Sequence, residues 1–178
     1  MLIERINRPA GAAVTLASAK AHLRVDGNDS DVEIMTMIAA ATRELEDYAS
    51  LALLTQTIRV TSDCWGRASV FPLPIAPLPD VLTVIVTADG AAFEAYAVIA
   101  GQRPALRLTG ERPSGLIVIQ YEAGFGDVPS AIPADLGMAI LDQVAVLYDM
   151  RGVTDPRQGT GLSPHMARVA ARYRRVAL

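Results

Sequence analysis

Cysteine and histidine are the side chains best suited to covalent or metal chemistry, and this chain has few of them. Its 178 residues include one cysteine, Cys64, and two histidines, His22 and His165. A single cysteine rules out an intrachain disulfide and an all-cysteine zinc site. A cysteine nucleophile needs a base beside it in space, and neither histidine lies near Cys64 in the sequence, so Cys64 reads as a buried thiol. Neither histidine has a second histidine or a glutamate at metal-ligand spacing, and both read as surface or packing residues. No cofactor is expected.

Three short segments have the outline of ligand loops and lack the residues that would complete them. Asp26, Asn28 and Ser30 alternate like the start of a calcium loop, but the sixth and twelfth positions hold Asp31 and Met37 where glycine and glutamate are required. Turn formation and helix capping account for them. Gly124-Phe125-Gly126 lacks the third glycine of a dinucleotide loop and reads as a strand-ending turn. Gly159-Thr160-Gly161-Leu162-Ser163 has no lysine to reach a phosphate, which excludes a P-loop. With no nucleophile, base or metal set emerging, an enzyme is not expected.

Charge is distributed unevenly. The net charge is −3, yet from Arg151 onward six arginines face a single acid, Asp155. An acidic body therefore carries a basic tail able to meet a phosphate backbone or an acidic protein surface. Asp135, Asp142 and Asp149 recur every seven residues and form an acidic stripe on one helix. The stripe reads as a solvated face, or as one that lines a DNA conduit or meets a neighbouring subunit.

The elements that position these groups follow from periodicity. Thr15 caps a short helix with Leu16, Ala19 and Leu23 on one side. Ser30 and Glu33 form a capping box for a long helix whose stripe runs Ile34, Met37, Ile38, Ala41, Leu45, Tyr48, Ala49 and Ala52. From Thr55 the period changes to two, with Gln56, Ile58 and Val60 alternating with Thr57, Arg59 and Thr61, as a half-buried strand requires. Pro72, Pro74, Pro77 and Pro79 interrupt the β region. Val81 to Thr87 resumes it, Asp89-Gly90 marks a hairpin leading into Phe93 to Ile99, and Leu106 to Leu108 and Leu116 to Tyr121 make a further pair around a turn. Pro133 opens a late helix with Leu136, Ile140, Leu141, Val144, Leu147 and Tyr148 on its apolar face. Residues 154–161 have linker composition, and Ser163-Pro164 starts a short helix placing Met166, Val169 and Tyr173 together. The fold class is α+β: a helical body over residues 1–152 with an antiparallel β insertion at 55–122, then a flexible linker and docking tail over 153–178.

The composition, 51% hydrophobic and 20% charged, suits a globular domain that hides further surface against partners. No apolar run approaches the roughly 20 residues of a membrane helix. Glu4 breaks the order of a signal peptide, so the chain reads as soluble and cytoplasmic at synthesis, with no membrane partner.

In order, these features resemble the phage head-tail connector (adaptor) family of long-tailed phages and gene transfer agents. The resemblance rests on Thr15-Leu16-Ala17-Ser18-Ala19-Lys20-Ala21-His22-Leu23-Arg24-Val25 before an acidic turn and a long helix, and on Pro74 to Pro79 before Val81 to Gly90. It continues in Tyr121-Glu122-Ala123-Gly124-Phe125-Gly126 before Ile132-Pro133, and in the ending Tyr173-Arg174-Arg175-Val176. It implies a structural protein at the head-tail interface of a virion or phage-like particle, present in the bacterial cytoplasm before assembly. It also implies a ring of about twelve copies in the particle, and is compatible with a monomer in isolation. The implied partners are a portal protein above, a stopper or tail-completion protein below, and double-stranded DNA passing through the channel without sequence-specific binding. The implied portal-docking residues are Met166, Arg168, Val169, Arg172, Tyr173, Arg174 and Arg175. The alternative function is a DNA-binding or packaging accessory that uses the basic tail.

Overall fold

The alternation that begins at Gln56 is the key to the β part of the molecule. Strand β2 (Gln56–Ser62) pairs antiparallel with β8 (Ile117–Ala123), setting Ile58 opposite Tyr121 and Val60 opposite Ile119. Because side chains alternate across a strand, Ile58, Val60, Ile117, Ile119 and Tyr121 are all buried on one face, while Arg59 and Glu122 point outward. The computed structural model describes residues 1–151 and 161–174.

The described chain forms α+β units of four helices and two antiparallel sheets. Two compact units divide it: a β unit of Met1–Pro9 and Ser50–Asp127, and a helical unit of Ala10–Ala49 and Val128–Leu178. In the β unit a five-stranded sheet runs β1-β2-β8-β4-β5, with β1 Leu2–Asn7, β4 Ile85–Ala88 and β5 Ala91–Ala92. A three-stranded sheet runs β3-β7-β6, with β3 Val70–Pro72, β6 Tyr96–Ile99 and β7 Ala105–Leu108. Trp65, Phe71, Leu73, Leu78 and Leu106 fill the same apolar cluster as the inner faces of β2 and β8. Phe71 and Phe93 lie with ring centroids 5.4 and 5.9 Å from Trp65, in the tilted geometry aromatic pairs favour.

The proline segment is ordered by groups that supply what proline cannot. Leu73, Ile75 and Leu78 turn inward between the prolines, and their N–H groups donate to the Pro104 carbonyl (3.0 Å), the Tyr121 hydroxyl (3.0 Å) and the Gly101 carbonyl (3.1 Å). The Ala76–Pro77 peptide is cis. Gly124 ends β8 where only glycine fits, because a Cβ there would lie 2.6 Å from the backbone N and Cα of Thr55.

In the helical unit, α1 (Leu16–Leu23) begins at Thr15, whose hydroxyl accepts the Ser18 N–H, and ends at left-handed Arg24. Helix α2 (Asp31–Ala49) buries Ile34, Ile38, Ala41, Leu45 and Ala49. Helix α3 (Ala134–Asp149) buries Leu136, Ala139, Ile140, Gln143 and Val144, and α4 (Pro164–Tyr173) buries Met166, Val169 and Ala170. Among the described residues no helix is long and apolar enough to cross a membrane.

Several sequence expectations need correction. Strand β1 has no counterpart in the sequence reading: its burial does not alternate, and it forms only by pairing with β2 some fifty residues later. Leu106–Leu108 and Leu116–Tyr121 do not pair with each other; β7 and β8 belong to different sheets, each with better-matched partners. Val81–Thr83 is a turn of 3-10 helix capped by Asp80, and the strand starts at Ile85. Glu33 turns toward Arg151, its carboxylate 2.7 Å from the guanidinium. Cys64 is exposed, on a connection outside the sheets.

Candidate functional site

The residues expected to form a docking tail and an acidic face come together on α3 and α4. Ser163 caps α4 by accepting the Met166 N–H at 3.0 Å, with Pro164 at the first helical position. The apolar side of α4 is already occupied: Met166 and Val169 are fully enclosed within the helical unit. Arg168, Arg172 and Arg174 remain exposed and Tyr173 half-buried, while Arg175 and residues 153–160 of the expected linker lie outside the described residues.

A buried amide fixes the start of α4. The fully enclosed Gln143 accepts the Ser163 N–H on Oε1 at 2.6 Å, and its Nε2 donates to Glu44 at 2.9 Å and to the Gly161 carbonyl at 3.4 Å. One side chain thereby links α2, α3 and the entry to α4. The only hint in the sequence is an amide inside an otherwise apolar helix face.

The acidic stripe is largely engaged within the helical unit. Asp135 accepts from Arg172 at 3.0 Å and from the Tyr173 hydroxyl at 3.0 and 3.1 Å. Burial first, and then the hydrogen bond to Asp135, raise the Tyr173 phenol above its ordinary pKa. Asp142 lies between the two histidines, with His22 Nε2 at 3.1 Å from one carboxylate oxygen and His165 Nδ1 in close contact with the other. This clasp joins α1, α3 and α4. Among the described residues no three His, Cys, Asp or Glu side chains are placed to hold a metal ion. Asp149 alone of the three is exposed and has no described partner. Two of the three members of the stripe thus have partners within the helical unit while staying partly exposed, Asp135 on α4 and Asp142 on α1 and α4.

What faces outward is cationic and oriented. Arg174 lies over the ring of Tyr48 at 5.2 Å, and Arg151 over Tyr148 at 3.4 Å while also paired with Glu33. Cation–π contacts of this kind hold a guanidinium in place while leaving donors free. Arg168 and Arg172, one turn apart on α4, and Arg174 just past its end are exposed basic groups, Arg172 while paired with Asp135. Such groups are suited to bidentate pairing with carboxylates or phosphates.

Comparison with solved structures places this architecture. The fold is shared with chains of the gene transfer agent particle. Over its whole length the chain is similar to 97% of a chain in the virion of the native gene transfer agent particle, with 23% identity and a TM-score of 0.80. It is equally similar to 97% of a chain in the neck of the empty particle computed with C6 symmetry, at 24% identity and TM-score 0.81. A chain in the neck of the native particle computed with C12 symmetry matches at 23% identity and TM-score 0.78. No protein-family profile and no curated protein matches the chain.

Proposed function

We propose that the protein is a non-enzymatic structural component of the neck of a phage-like particle, an adaptor at the head-tail interface. The observation that carries this reading is the match of the whole chain to 97% of the chains in neck structures.

On this reading the protein assembles as a ring of copies below a portal, continues the DNA channel and receives a stopper or tail-completion protein. The cyclic symmetry of the neck structures supports the ring. The exposed arginines of α4 dock on the portal by pairing with carboxylates. The apolar residues Met166 and Val169 serve instead to hold α4 on its own unit, so orientation of the cations is paid for within the subunit. Asp149 remains available to face DNA or a neighbour.

The test replaces Arg168, Arg172 and Arg174 with glutamate in the full chain. Loss of co-sedimentation with portal rings, with an unchanged circular dichroism spectrum, is expected. Unchanged co-sedimentation refutes the docking role of these arginines. The second reading, a DNA-binding or packaging accessory, draws on the same basic surface. It predicts instead a loss of DNA affinity whose wild-type value falls steeply with salt.

A further inference from the structure

Helix α2 is apolar on two sides. Its inner stripe, Ile34, Ile38, Ala41 and Leu45, is buried in the helical unit. On the far side of the first turns Val32 is 74% exposed and Met35 49% exposed, and Ala39 continues the same line one turn later. With 3.6 residues per turn, positions 32, 35, 36 and 39 share one face, so this is a ridge and not scattered exposure. An apolar stripe on both sides of a helix is the pattern of a helix that is covered twice.

The same unit carries a groove of about 320 Å³ between the starts of α1 and α3, lined by Val14, Ile132, Gly137, Met138 and Leu141 among others. That is about twice the volume of a roughly 150 Å³ apolar cavity that holds benzene, enough for a large aliphatic side chain and part of the next. Met138, on its rim, is 47% exposed. No charged residue lines the groove, and two of its three hydroxyls, those of Thr15 and Ser18, pair with each other at 2.8 Å. The ridge at Val32, Met35, Thr36 and Ala39 is equally free of charge, as the desolvated centre of an interface requires.

Gly137 points the same way. It sits inside α3, where glycine costs about 1 kcal/mol relative to alanine. Its own fold does not require it, since a Cβ there would meet only Val14 Cγ1 at an ordinary 4.0 Å. What glycine does provide is a lower groove floor.

We infer that the α2 ridge of one copy seats in the α1–α3 groove of a second copy of this chain. Ridge and groove share no residue, so the contact is head-to-tail, the type that propagates around a ring when its rotation closes. The inference rests on the ring reading and assigns the surfaces that would build it.

The test uses the full chain with Cys64→Ser, which removes the exposed native thiol, carrying Met35→Cys, Met138→Cys or both. The three proteins are treated with a short bis-maleimide, and each is imaged uncrosslinked by negative stain at high concentration. The double variant is expected to give a ladder extending well beyond the dimer, with at least about tenfold more crosslinked product than either single variant. Single variants that dimerise as efficiently as the double one overturn the head-to-tail assignment. Rings in the images without a ladder overturn the placement of the interface alone. Absence of both rings and ladder, for the protein alone and again when it is mixed with portal rings, refutes the ring reading, and this inference with it.

Discussion

Replacing Tyr121 with phenylalanine removes one oxygen and leaves two backbone groups without a partner. The Tyr121 hydroxyl accepts the Ile75 N–H at 3.0 Å and donates to the Ile75 carbonyl at 3.0 Å, and both residues are buried. Proline on either side of the Ile75–Ala76 pair limits the ways in which this stretch can find other partners. An orphaned buried polar group costs about 1–3 kcal/mol, so two orphans, partly relieved by relaxation, put the loss at about 2–4 kcal/mol. For a chain of this size that lowers the midpoint of thermal unfolding by about 5–15 °C. The pH dependence gives a second check with a definite sign. Burial raises the Tyr121 pKa, so the folded protein keeps its phenolic proton where the unfolded chain, ionising near pH 10, has lost it. Stability is therefore fully present below about pH 10 and falls above it by about 1.4 kcal/mol per pH unit from this residue. Phenylalanine lacks that slope, so the gap between the two proteins should narrow as pH rises past 10. Urea unfolding of both proteins between pH 7 and 11 measures this directly. A loss below about 0.5 kcal/mol at pH 7, or a gap that does not narrow, would refute the assignment of the hydroxyl as sole partner of Ile75.

Three further outcomes follow from the same geometry. Gln143→Leu orphans the Ser163 N–H and should cost about 2 kcal/mol, with protease cleavage near the start of α4 accelerated before global unfolding. Gly124→Ala forces a Cβ against the Thr55 backbone at a φ of +149° and should destabilise by about 2–3 kcal/mol, read as a lowered denaturant midpoint. Asp142→Ala removes the shared partner of His22 and His165; because the side chains are about 30% exposed, the loss should stay near 1 kcal/mol in thermal melts at neutral pH.

Part of the fold and of the site was legible in the residues alone, because local chemistry decides it. The Thr15 cap, the Ser163-Pro164 start of α4, the Asp89-Gly90 turn and the alternation of β2 all depend on neighbours a few positions away, and the structure has each of them. The basic surface of α4 was visible as clustered arginines, and α+β as a class followed from the change of period near Thr55.

What stayed hidden depends on partners far along the chain. The edge strand β1 needs β2, the hydroxyl of Tyr121 needs Ile75 46 residues earlier, and Gln143 bridges to Glu44 across 99 residues. The two histidines carry no shared spacing in the sequence, yet packing of α1 and α4 on α3 brings both to Asp142. The residue types thus set where helices and strands begin and which faces are apolar. Only tertiary packing decided which buried polar groups meet and which charges are spent internally, because a desolvated group takes the partner that folding delivers, whatever its distance along the chain.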